Sequence, residues 1–166
     1  MRNMILFTAL ALFLFGCCAC STKTVQENGE FAIFLPVNIT HIDQMDQADF
    51  YTMELKNEPI ITVYDIIEYN SGTHEIELTN SSIKEINLLG HGQPFVVCVG
   101  QERIYGGAFW NPTSSYIWGG ITINLPLDDN THFIRIDNIL FSGGEDPRSD
   151  PRISESLEKA GKLKSP

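Results

Sequence analysis

From Ile5 to Phe15 the chain is apolar at every position except Thr8, an eleven-residue run behind the short positive start Met1-Arg2-Asn3. The run is shorter than the roughly 20 residues a spanning helix needs. No polar stripe divides it, as one would in an amphipathic core helix. It has the layout of a secretory signal segment. The apolar pattern breaks at Gly16-Cys17, and Ser21 to Glu30 is polar with one glycine, which predicts a flexible tether.

Beyond the tether the pattern alternates between two periods. Phe31-Ala32-Ile33-Phe34-Leu35 is an apolar run stopped by Pro36 and predicts a strand. Thr40-His41-Ile42-Asp43 has the form of a capping box and predicts a short helix to about Ala48. Pro59 to Thr62 predicts a short strand, and Thr62-Val63-Tyr64-Asp65 repeats the capping pattern before Ile66-Ile67. Turn chemistry at Asn70-Ser71-Gly72 precedes Glu75-Ile76-Glu77-Leu78, which alternates as a half-buried strand does. Thr79 caps a predicted helix carrying Ile83, Ile86 and Leu89, ended by Gly90-His91-Gly92. Further strands are predicted at Phe95–Val99, Arg103–Phe109, Ile121–Leu125 and Phe133–Ile136, with a loop from Trp110 to Gly120.

From Ser142 the strand pattern stops. Asp146-Pro147-Arg148 and Asp150-Pro151-Arg152 favour extended backbone, and Ile153, Leu157 and Ala160 allow one amphipathic helix, marginal alone. Helices among the early strands and strands later predict a single compact α+β domain rather than a doubly wound one. It has a mixed or antiparallel sheet and two or three short helices. The boundaries are a signal at 1–16, a cysteine and tether at 17–30, the domain at 31–141 and a flexible tail at 142–166.

Charge narrows the partners. The 166 residues hold 11 Lys and Arg against 21 Asp and Glu. Without residues 1–16 the balance is 10 against 21, or −11. The tail is neutral, so the excess lies in residues 21–141, where 16 acids face Lys23, Lys56, Lys84, Arg103 and Arg135. Nucleic acid is excluded as a partner, because phosphate binding needs clustered Lys and Arg.

Candidate chemistry is sparse. Cys17, Cys18 and Cys20 crowd the break after the apolar segment, where a metal reading lacks a second ligand cluster. Cys98 lies in Phe95-Val96-Val97-Cys98-Val99, apolar on both faces, and is expected to be a buried, unreactive thiol. Asp43, Asp46 and Asp49 lack the glycine and spacing of a calcium loop. His41, His74, His91 and His132 show no metal spacing, and His74 is expected on the polar face of its strand. No cofactor or metal is implied. The aromatic loop is the exception: Trp110, Asn111, Ser114, Ser115, Tyr116 and Trp118 set stacking rings beside hydroxyl and amide groups, which suits a peptide or sugar. The competing reading has Phe109, Tyr116 and Trp118 cap the sheet while Trp110 fills a corner. A hydrolase would require Ser114 or Ser115 to meet His91 or His132.

Leu14-Phe15-Gly16-Cys17 resembles the lipobox of bacterial lipoproteins, with Phe15 in place of the usual small residue. The resemblance implies cleavage before Cys17, a diacylglyceryl thioether on its sulfur and an acylated amine. Two or three chains anchor firmly where one holds only marginally. It places the chain on the extracytoplasmic side of the membrane. Cys18 is not the aspartate of inner-membrane retention, so the outer membrane is expected in a Gram-negative cell. Ile76-Glu77-Leu78-Thr79, the helix after it, Gly92–Gly100 and Arg103-Ile104-Tyr105 are similar to part of the SecD periplasmic region. That likeness implies a related fold but not protein export, and this chain has Gly100-Gln101 where that family has Asp-Gly. Pro94–Val99, Ile104-Tyr105, Gly107–Trp110 and Ser114-Ser115 resemble the core of small bacterial lipoproteins with no assigned activity. The expected function is a membrane-anchored envelope module that binds a protein, peptide or glycan, with an envelope hydrolase as the alternative.

Overall fold

The computed structural model describes residues 29–45, 49–128, 130–139 and 143–164. The signal segment, Cys17 and most of the tether lie outside them. The elements in chain order are β1 (Phe31–Phe34), a 3-10 turn (Ile42–Gln44), α1 (Asp49–Thr52), β2 (Ile61–Thr62), β3 (Ile66–Asn70) and β4 (Glu75–Leu78). Then come α2 (Asn80–Ile86), β5 (Pro94–Val99), β6 (Glu102–Trp110), β7 (Ile121–Asn124) and β8 (Phe133–Asn138). A second 3-10 turn (Pro147–Ser149), α3 (Pro151–Lys159) and β9 (Leu163–Lys164) end the series. This is the expected α+β class. One sheet of nine strands in the order β2-β1-β5-β6-β7-β8-β4-β3-β9 curls into a half-barrel. The β6–β7 and β3–β9 pairs are parallel and the rest antiparallel.

The apolar pattern follows from which faces are covered. In β5, Phe95 and Val97 enter the main core while Val96 and Cys98 enter a second cluster on the opposite face. A strand covered on both sides needs apolar residues at every position. The main core also takes Phe31, Ile33, Phe109, Ile123, Ile76 and Ile134 from the other strands. It is closed by Ile83 and Ile86 of α2 and by Ile153 and Leu157 of α3. The second face is covered over β1, β5 and β6 by the segment carrying Ile42, Met45, Phe50, Met53 and Leu55. Arg103 of β6 ties that cover down. Its guanidinium donates to the carbonyls of Phe50 (2.7 Å) and Met53 (2.6 Å), which leave the end of α1 without helical partners. In β4, where one face meets solvent, Ile76 and Leu78 are buried and Glu75 and Glu77 are not.

Three local expectations need correction. The helix expected from Thr40 to about Ala48 is a single 3-10 turn as far as Met45, and residues 46–48 lie outside the described residues. His41 is its cap, Gln44 closes the box by accepting from the His41 N–H (3.1 Å), and Met45 is already extended. The capping pattern at Thr62 opens no helix. Asp65 accepts from the Thr62 N–H and hydroxyl (2.8 and 2.6 Å) and from the Ser82 hydroxyl (2.8 Å). It thereby closes a turn into β3 and links that turn to α2. The folded unit also extends past residue 141. The helix anticipated around Ile153 and Leu157 is present as α3 and is docked, and Leu163 pairs with Tyr69 as β9 lies along β3. Among the described residues, no helix is long and apolar enough to cross a membrane.

Candidate functional site

Parallel neighbours cannot be joined by a tight turn, because the chain must travel back before it runs the same way again. That requirement shapes the aromatic loop. It leaves the end of β6 at Trp110 and returns through residues 111–120 to start β7. Its first bend is an Asx turn in which Asn111 Oδ1 accepts from the Thr113 N–H (2.9 Å) and hydroxyl (2.8 Å). Ser114 Oγ accepts from the Tyr116 N–H (3.2 Å) in the second bend. The His91 ring lies 4.1 Å from Trp110, centroid to centroid, and its Nδ1 accepts from the Asn111 N–H (3.1 Å).

The structure divides the candidate residues. Trp110 is 4% exposed and packs with Ile42 and Ala108, so it is the corner residue of the competing reading. Phe109 is in the core, edge to face with Phe95. Trp118 is half-buried, stacks 6.4 Å from Trp110, and lies over Gly120 so closely that a Cβ there would fall 2.1 Å from the indole. Tyr116 stands out at 58% exposure, and Asn111 and Ser115 are exposed on the loop surface.

Beside Trp118 runs an open groove of about 800 Å³. One wall is Trp118-Gly119-Gly120, the other Met45, Phe50 and Tyr51, and the floor is Ile104 to Gly107 of β6. Asn138 and Pro147 close one end, and among the described residues no charged side chain lines it. The sequence pointed to the loop but not to the opposite wall or the floor. Gly106-Gly107 within a predicted strand was the available signal, because a strand glycine marks close approach. A Cβ at Gly106 would meet the Phe50 ring at 2.7 Å, and one at Gly107 would meet the Ile121 carbonyl at 2.2 Å.

Near the Pro147 end lies a half-buried polar cluster. The Tyr69 hydroxyl and His74 Nδ1 are 2.9 Å apart, and Arg148 forks onto Asp146 while donating to the Ile136 carbonyl (2.7 Å). Burial pushes the Tyr69 phenol up to about 12, so it stays protonated beside the imidazole. Burial, and then the Arg148 charge, hold His74 below its usual range. His74 is therefore not a residue of the polar strand face. It sits in the preceding turn at φ 55° with its ring turned to Tyr69. The Tyr105 hydroxyl is buried with no hydrogen-bond partner among the described residues.

Among the described residues no hydrogen bond joins Ser114 or Ser115 to a histidine, and the His91 Nδ1 is taken by a backbone N–H. His132 lies in a different depression with Asn80, Ile83 and Lys84 of α2. General-base catalysis needs hydrogen-bond reach or one bridging water. Cys98 is 3% exposed, and burial pushes its thiol up to about 11, which leaves it without thiolate character at neutral pH. No group of three or more metal-ligating side chains occurs among the described residues. No protein-family model, curated protein or solved structure matches the chain.

Proposed function

We propose that this protein is a lipid-anchored module of the bacterial envelope that binds a protein, peptide or glycan partner in the groove beside the aromatic loop. The groove carries the reading. It is concave, uncharged among its described residues and walled by Trp118 on one side and Phe50 and Tyr51 on the other, the composition that suits a ligand site. The anchor rests on the apolar run Ile5–Phe15 and on Leu14-Phe15-Gly16-Cys17, with Cys17 as the acylated residue. Polar residues from Ser21 to Glu30 set the domain off the membrane. Its net negative charge repels it from an anionic surface. Together they make a partner-facing module on a leash.

Trp118 and Tyr116 are the side chains to remove. Trp110 is not, because its truncation would open the cluster it forms with Ile42 and Ala108. Photo-cross-linking in intact cells from a reactive group at position 117, where Ile117 is exposed, is expected to trap one envelope partner. Trp118→Ala with Tyr116→Ala should abolish the adduct while the circular dichroism spectrum stays unchanged. An undiminished adduct in the double variant would remove the groove from consideration. Separately, radiolabelled palmitate should enter the wild type and not Cys17→Ala, and labelling of both would overturn the anchor.

A further inference from the structure

The groove has a sheet edge for its floor, and that edge is unused. β6 spans Glu102–Trp110 and pairs with β5 along its length, but β7 joins its other edge only from Ala108, opposite Thr122. Alternate residues of an antiparallel strand turn their N–H and C=O toward the same neighbour. Phe109 exchanges backbone bonds with the chain just before β5, donating to Gln93 and accepting from Gly92 (both 2.8 Å). Gly107 therefore also faces β5, while Gly106, Ala108 and Trp110 face the other way. Trp110 confirms this by accepting from the Leu125 N–H just past β7 (2.8 Å). Gly106 consequently turns its N–H and C=O into the groove, where no strand lies.

Exposed strand edges are templates for another strand. Here the edge is flanked by aromatic walls and has a glycine at its centre, so a second backbone can approach closely. A sugar would use the rings but not the strand edge. The described lining is uncharged, whereas residues 21–141 carry 16 acids against 5 bases, and Asp43, next in sequence to the lining residue Ile42, is exposed.

We propose that the groove receives an extended peptide, apolar where it lies between Trp118 and Phe50 and basic on either side, which adds to the sheet as a strand along the free edge of β6 at Gly106. This rests on the groove being the binding site, and it names the class of partner.

The test uses the full chain and a library of short peptides with lysines at both ends and randomised apolar or hydroxyl residues between them. The best binder is then resynthesised twice, N-methylated at alternate nitrogens along one edge or along the other. The parent peptide is expected to protect the Gly106 amide from hydrogen exchange. Methylation of the paired edge should weaken binding by about tenfold or more, while methylation of the other edge leaves it within about twofold. A chitin oligosaccharide serves as the glycan probe. Peptide binding that both methylated copies retain, or that leaves Gly106 unprotected, overturns strand addition but not the groove. Oligosaccharide binding lost in Trp118→Ala, with no peptide bound, overturns the peptide and keeps the site. If neither probe perturbs Gly106 or Trp118, both proposals fall.

Discussion

Gly106 and Gly107 are neighbours on β6 that make room on opposite faces, one for Phe50 in the cover and one for Phe95 in the core. A strand with two side-chain-free positions costs conformational entropy, and here close packing on both faces offsets it. Gly107→Ala places a methyl against the Ile121 carbonyl at 2.2 Å and the Phe95 ring at 2.6 Å. Such overpacking should lower stability by about 1–3 kcal/mol, read as a fall in the urea midpoint at unchanged slope. Gly90→Ala meets nothing within 4 Å and should change stability by less than about 1 kcal/mol. Equal effects at the two positions would mean that β6 is not packed on both faces.

α3 shows how a marginal element becomes part of a core. Nine residues do not hold a helix in isolation. Asp150 caps it by accepting from the Arg152 N–H (2.9 Å), with Pro151 at the first helical position, where its missing N–H costs nothing. Ile153 and Leu157 then fall one turn apart on one face, both buried. Between them and the first strand, the Ser156 hydroxyl accepts the Phe31 N–H at 2.7 Å, joining the two ends of the fold. Leu157→Ala should therefore cost about 2–5 kcal/mol in urea unfolding. Leu88→Ala, at an 86% exposed position, should cost close to nothing. A Leu157 loss as small as that of Leu88 would mean that α3 does not close the core.

At the scale of the whole molecule, acid should loosen the fold by a route the half-buried polar cluster specifies. The folded value of His74 lies below its ordinary 6.5, because burial disfavours the imidazolium. The native state thus holds the neutral ring. The stability this brings is complete above about 6.5 and is lost as pH falls from there to the folded value. Asp146 follows at lower pH. Its hydrogen bonds from Arg148 hold it below 3.8, so its contribution disappears as pH drops beneath that value. The urea midpoint should therefore decline in two steps on the acid side of neutrality. His74→Asn keeps a residue that tolerates the left-handed backbone at φ 55° and should remove the upper step alone. Parallel pH profiles for wild type and variant would overturn this assignment. The exposed pairs Arg152–Glu102 and Lys164–Glu68 contribute little by comparison, being screened by water and salt.

By itself the sequence determined several elements written in short-range periodicity. The Thr79 cap of α2, the alternation of β4 and the doubly apolar run of β5 all follow from neighbours a few positions apart. The aromatic loop was legible as a loop for the same reason. Only the tertiary structure decided which of its rings is core and which lines a groove, because Trp110 is buried by Ile42, sixty-eight residues earlier. Strand order was equally out of reach. The parallel β6–β7 pairing, and with it the free edge at Gly106, depends on where the chain returns rather than on any local pattern. The C-terminal segment marks the same divide. Its amphipathic helix could be seen in Ile153 and Leu157, but its docking required a partner face built by residues more than a hundred positions away, at Phe31.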